Sequence, residues 1–244
     1  MNIRKKNLLS GFSSFIEGIK LVSQPGLRQY VIWPLLINTL LFGFASWFLW
    51  QYLTGLVDTM LPSWLSWLAW LILPLFATSI LAIVYFSFTL LANIIAAPFY
   101  GFLAQKVEHQ LTGKTNNLSQ SRSFFNELLA TTGSELRKIS YYLLRAIPLL
   151  LLSLIPGINV IALPLWFVFS AWFLSIEYTG YTFENNHIPF KEQKKLLKND
   201  PVNSLTFGAI TLLATTTPIV NLFAPAVAVA GATKMLIEND LIEN

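Results

Sequence analysis

Four stretches of the chain, residues 29–57, 59–105, 146–176 and 202–233, contain no Asp, Glu, Lys or Arg. Each is longer than the roughly 20 apolar residues that cross a bilayer core. Lipid offers no partners to backbone N–H and C=O groups, so stretches of this kind must bond internally as helix. That constraint points to an all-α integral membrane protein. Composition agrees: 55% of the 244 residues are hydrophobic and 11% are charged. A soluble domain carries about 25% charged residues, so polar groups are too few here to cover a water-facing surface.

The four stretches differ in their punctuation. The first spans from Tyr30 to about Gln51 as an ordinary transmembrane helix, with Pro34 in its early turns, where a missing N–H costs little. In the second, no charge occurs between Trp64 and Lys106. A helix of that length either projects beyond the bilayer or breaks at Pro74 and Pro98. The link around Asp58 is short, so these two stretches form a long transmembrane hairpin. The third is interrupted at Pro156-Gly157 and Pro164, and the fourth at Pro218 and Pro225 with Asn221 between. Legs of about 12–18 residues suit re-entrant hairpins that enter and return on one side; four full spans with Pro kinks are the alternative. Basic residues discriminate between the two. Full crossings would place Lys191, Lys194, Lys195 and Lys198 away from the cytoplasm, against the positive-inside bias. Two re-entrant hairpins keep every basic cluster on one face of the membrane.

Two amphipathic segments complete the pattern. Leu8, Phe12, Phe15, Ile19 and Val22 form one helical stripe, read as a helix lying on the membrane surface. Phe125, Leu128, Leu129, Thr132, Leu136, Ile139 and Leu143 form another, with Glu135, Arg137 and Lys138 off that face. It reads as a second interfacial or partner-contacting helix. No linker is long enough to separate domains, so residues 1–244 form a single membrane-embedded domain.

Catalytic and metal chemistry find little footing. The chain has no Cys and two His. His109 and His187 lack metal-ligand spacing and read as surface side chains. There is no G-x-S-x-G elbow and no phosphate-cradling Gly-rich loop, so neither an enzyme nor an ATPase is expected, and no cofactor or metal. The net charge of +4 is explained by Lys and Arg flanking apolar runs, which leaves no case for nucleic acid. Acids and His are also missing inside the four stretches, whereas proton-coupled carriers place relays there. Movement down an electrochemical gradient, or coupling by unusual means, is therefore expected. Asn38, Asn93, Asn221 and the run Thr215-Thr216-Thr217 either line a hydrated path or bond neighbouring helices.

The segment Ser23-Gln24-Pro25-Gly26-Leu27-Arg28-Gln29, just before the first span, is the most suggestive chemically. If the N–H groups of Gly26, Leu27 and Arg28 lack partners, a helix start with its partial positive charge becomes an anion site, and Arg28 adds a permanent cation. The plainer reading is a Pro-Gly turn with Arg28 as a snorkelling flank residue.

Leu21-Val-Ser-Gln-Pro-Gly-Leu-Arg28, followed by Trp33-Pro-Leu-Leu-Ile-Asn38, closely resembles the N-terminal motif of the CysZ sulfate permease family. Asn93-Ile-Ile-Ala-Ala-Pro-Phe99, Ile155-Pro-Gly-Ile158, Ile188-Pro-Phe-Lys-Glu192, Asn221-Leu-Phe223 and Gly231-Ala-Thr233 continue the resemblance in order across nearly the whole chain. The resemblance implies a multi-pass protein of the bacterial inner membrane that passes sulfate into the cytoplasm for cysteine biosynthesis. It also implies two long transmembrane helices with partly penetrating hairpins, homo-oligomeric assembly, and sulfate bound by Gly26, Leu27 and Arg28. Several members carry a second basic residue after this Arg; Gln29 stands there here, which lowers the positive charge of the site. A membrane scaffold or regulator that binds sulfate and assists another transporter is the alternative function.

Overall fold

The computed structural model describes residues 10–60, 69–113, 124–157 and 159–242. Leu8 of the first stripe, the basic tail Arg4, Lys5 and Lys6, Trp64, residues 119–123 and Ile158 lie outside them. The described residues form helices and no strand. In chain order these are α1 (Ser10–Val22), α2 (Gln29–Met60), α3 (Ala69–Thr112), α4 (Phe124–Ser153), α5 (Asn159–Asn185), α6 (Phe190–Asn199), α7 (Pro201–Thr216), α8 (Pro218–Asn221) and α9 (Ala224–Glu238). They fall into two compact units, Met1–Val31 with Ala97–Asn244, and Ile32–Ala96.

The second unit consists of the long middle of α2 and the first part of α3. Pro34 sits inside α2 without ending it, and α2 runs nine residues beyond the expected Gln51, to Met60. Pro74 and Pro98 do not break α3, which continues for 44 residues. Of the two alternatives for this stretch, the long uninterrupted helix is the one found. In the other unit the expected break at Pro164 is corrected, because α5 accommodates that Pro near its start without ending, while the remaining interruptions fall where Pro and Gly place them. The α4–α5 turn contains Pro156 and Gly157, the latter at φ 85°. The fourth stretch divides at Thr217 and again at Leu222-Phe223, with Pro218 and Pro225 in the first turns of α8 and α9.

Among the described residues, two helices are long and apolar enough to cross a membrane, Gln29–Phe48 and Asn159–Asn185, and only 6% and 22% of their apolar windows are buried against protein. A core helix of a soluble protein would be mostly covered. These helices instead present their apolar surface outward, where lipid accommodates it.

Small residues hold the first unit together. α9 is buried along most of its length, from Ala224 through Val229 and Gly231 to Leu236, and α1, α5 and α7 pack around it. A Cβ built on Gly18 of α1 would lie 2.3 Å from the Val227 carbonyl oxygen, and one on Gly208 of α7 would lie 1.8 Å from that of Ala171 in α5. The backbones therefore touch, which only Gly permits. This corrects the reading of α1 as a helix on a surface. Its buried face is Gly11, Ser14, Phe15, Gly18, Leu21 and Val22, while Phe12 and Ile19 of the expected stripe are exposed. Lys234 of α9 ties this packing down by pairing with Glu17 of α1 and, at 3.6 Å, with Glu238.

In α4 the part of the expected stripe whose side chains are described faces away from the protein, as an interfacial or partner-contacting helix requires; Phe125, Leu128, Leu129 and Thr132 lie outside it. Leu136, Ile139 and Leu143 point outward, whereas Lys138 is 1% exposed, with its Nζ 3.1 Å from Glu184 Oε1 and 4.8 Å from the ring centre of Tyr181. Where the outer solvent is lipid, association is driven by close packing of small and polar groups, and large apolar side chains lose nothing by facing out. Gly208→Val is expected to destabilise the protein by about 1–3 kcal/mol through overpacking, seen as a lower melting temperature in detergent. Gly43→Ala, at a position with open space around it, should leave melting unchanged; equal melting of both variants would contradict this packing account.

Candidate functional site

The segment Ser23–Gln29 links α1 to α2 and takes its shape from Pro25-Gly26. Gly26 has φ 92°, and the Leu27 N–H donates to the Gln24 carbonyl at 3.1 Å. Pro at the second position, Gly with positive φ at the third and an i to i+3 bond make a type II turn. The Arg28 N–H reaches the same carbonyl at 3.2 Å. The expectation that the amides of Gly26, Leu27 and Arg28 are all open is therefore corrected. The turn uses two of them, because the Gln24 carbonyl, left over at the end of α1, is the nearest acceptor.

Two other donors stay open. Among the described residues no protein group accepts the amides of Gly26 or Gln29. Nothing stands within 4 Å of where a Gly26 Cβ would be, so the approach to that N–H is clear. Arg28 is exposed and pairs with no carboxylate among the described residues. The Leu27 side chain, 3% exposed, inserts into the core formed with α3 and α9, which fixes the turn like a peg. Gln110 Nε2 of α3 donates to Gln24 Oε1, holding the turn from its other side. Sequence reasoning missed Gln24 and Gln110. The Pro-Gly pair was the available signal for the first; the second comes from 86 residues away and had none.

A second polar concentration lies at the C-terminal end of α5. Besides the Lys138–Glu184 pair, Asn186 Nδ2 lies 3.1 Å from both carboxylate oxygens of the buried Glu108, and Asn185 Nδ2 donates to the Gly101 carbonyl at 2.9 Å. The buried hydroxyls of Thr182 and Thr233 are 2.7 Å apart. These contacts tie α3, α4 and α9 to one end of α5. The polar residues singled out within the apolar stretches behave differently. Thr215, Thr216 and Thr217 each donate back to a carbonyl one turn earlier, at 2.9–3.0 Å. Asn221 is exposed, Asn38 Oδ1 is buried with no partner among the described residues, and the side chain of Asn93 lies outside them. His109 and His187 are exposed.

The arrangement at residues 24–29 can do one thing chemically: offer two open N–H groups and a guanidinium to an anion on a turn stiffened by Pro25 and pegged by Leu27. Gly26→Ala would force a Cβ into the left-handed region at a cost of about 1–2 kcal/mol. Its melting temperature is expected to fall, and that of Gly26→Asn to fall less, because Asn tolerates positive φ; the reverse order would argue against this turn.

Residues 14–225, a span that contains the turn, the third stretch, the breaks of the fourth and the polar end of α5, match the family described as Sulfate transporter CysZ/Etoposide-induced protein 2.4. That family is one of membrane transporters and not of enzymes. With a match over most of its length and an all-helical build with outward apolar faces, the chain belongs to the Sulfate transporter CysZ/Etoposide-induced protein 2.4 family.

Proposed function

We propose that this protein is a sulfate permease of the bacterial inner membrane, supplying sulfate for cysteine biosynthesis through a channel-like path that does not consume ATP. The observation that carries the reading is the pairing of an unobstructed Gly26 amide with the exposed Arg28 on a rigid turn. Sulfate is a strongly hydrated dianion, and several converging donors are needed to replace its water. In this proposal the Gly26 and Gln29 amides and the Arg28 guanidinium hold the ion. Leu27 acts through its buried side chain, keeping the turn in place, and its own amide stays with Gln24. Gln29 supplies an N–H where a second basic residue would supply charge.

Insertion of the interrupted stretches as re-entrant hairpins within one permease domain belongs to the same proposal. Their turns are apolar and exposed: Leu154 and Val160 flank Pro156-Gly157, and Ile219 at 76% exposure tops the other hairpin. A turn bathed in water would be polar. The turn amides of Leu154, Ile155, Asn221, Leu222 and Phe223 all find local carbonyls, which is what lipid demands of irregular backbone. The bases of these hairpins carry Lys138, Glu184, Asp200 and Lys234, suited to the water side. Assembly as a homo-oligomer, implied by the family resemblance, completes the proposal.

Purified protein in liposomes is expected to admit radiolabelled sulfate. Arg28→Ala should lower that flux about tenfold or more, the worth of one charge-assisted contact, while leaving melting unchanged. Undiminished flux would remove the site; no flux in the unaltered protein would favour a scaffold or regulator. With membrane potential clamped, a protonophore should not alter uptake, because acids and His are missing from the four apolar stretches; abolished uptake would indicate proton coupling.

A further inference from the structure

Away from the Gly26–Arg28 turn, a second group of cations is gathered without acid. Lys191, Lys194 and Lys198 fall within about 60° of one another around α6 at 100° per residue, on an arc beside that of the buried Gln193 and Leu197. Arg145 of α4 meets them over an aromatic floor. Its guanidinium lies 3.8 Å from the ring centre of Tyr141, and Lys194 Nζ lies 4.5 Å from the ring centres of both Tyr141 and Phe190. Tyr141 is itself set edge-on to Phe190, with ring centres 5.6 Å apart, and accepts a hydrogen bond from Trp172 Nε1 at 3.2 Å. None of the four cations has a carboxylate partner among the described residues. The nearby acids are engaged or turned away: Glu184 holds Lys138, the buried Asp200 accepts from Asn203, and Glu192 lies on a different arc of α6. Burial and the repulsion of Arg145, Lys198 and Lys191 hold the Lys194 ammonium below its ordinary pKa. This is a site with charge to neutralise.

What lies beside it identifies the anion's carrier. Next to Arg145 on α4, Leu144 is 72% exposed and Ile147 58% exposed, and the chain from residue 146 to 176 has no charge. The cations therefore sit where an apolar surface open to acyl chains begins, with Tyr and Trp at the same level, as in the aromatic belt of membrane proteins. We propose that Arg145, Lys191, Lys194 and Lys198 bind the phosphate headgroup of an anionic phospholipid, with Tyr141 and Phe190 as its floor and the α4 leucines against its chains. A bound headgroup would fix α6 to α4 at the membrane boundary and set the depth of the α4–α5 hairpin. Each basic side chain near an anionic surface contributes of the order of 1 kcal/mol, so four acting on one headgroup give a measurable preference.

The test uses the full chain in detergent, with short-chain phosphatidylglycerol, short-chain phosphatidylcholine and inorganic sulfate as probes, and native mass spectrometry as the readout. The unaltered protein is expected to retain phosphatidylglycerol over phosphatidylcholine. The variant carrying Arg145→Gln, Lys191→Gln, Lys194→Gln and Lys198→Gln should lose that preference by about tenfold or more. If that variant melts early, the milder pair Lys191→Gln and Lys198→Gln, both at exposed positions, should lose part of it. No lipid preference in the unaltered protein, or an undiminished one in the variants, would overturn the proposal. So would displacement of phosphatidylglycerol by an equal concentration of sulfate, which would assign the cations to a free ion. Arg28 is unaltered throughout, so failure here is distinct from failure of the sulfate site.

Discussion

Close approach of helix backbones at small residues is what the first unit depends on. In water, a helix docks by hiding its large apolar side chains. In lipid those side chains gain nothing by being hidden, and van der Waals contact between backbones, together with interhelical hydrogen bonds, carries the association. Gly18 against Val227, Gly208 against Ala171 and the Ala-rich α9 are the material of that contact. The outward Phe12, Leu144 and Ile219 are its counterpart.

The turn between α1 and α2 inherits its position from this packing. α1 is seated on α9 through Gly18 and Gly231, which fixes where its C-terminus ends. Pro25 and Gly26 then reverse the chain, Leu27 enters the core, and α2 starts at Gln29. A long flexible loop at this point would cost ordering entropy each time an anion bound. The turn is instead ordered in advance, by one internal carbonyl that takes two amides and leaves two others open.

Polarity is distributed by level. Ionisable and amide side chains collect at the C-terminal end of α5, where Lys138, Glu184, Glu108 and Asn186 engage one another or their neighbours. The turns of the interrupted stretches at the other end expose Leu154, Ile219 and Leu222, and the amides of Leu154, Ile155, Asn221, Leu222 and Phe223 bond to local carbonyls. Each region thus meets the demand of a different medium: paired charge where the protein covers it, and closed hydrogen bonding where apolar turns stand exposed.

Residues alone revealed the helical class, the two long stretches, the breaks at Pro156-Gly157 and near Pro218 and Pro225, and the turn at Pro25-Gly26. These follow from hydropathy, Pro and Gly, which act locally. The seating of α1 was misread, since Phe15 and Val22 of its stripe enter the core beside Gly11, Ser14 and Gly18, and close packing at small residues leaves no mark in an apolar period. The burial of Lys138, the peg of Leu27, the bond from Gln110 to Gln24 and the meeting of Arg145 with Lys194 over Tyr141 depended on tertiary structure. Each joins residues from separate helices or sets a side chain into a core that several helices build, and a linear pattern carries no record of which helices touch.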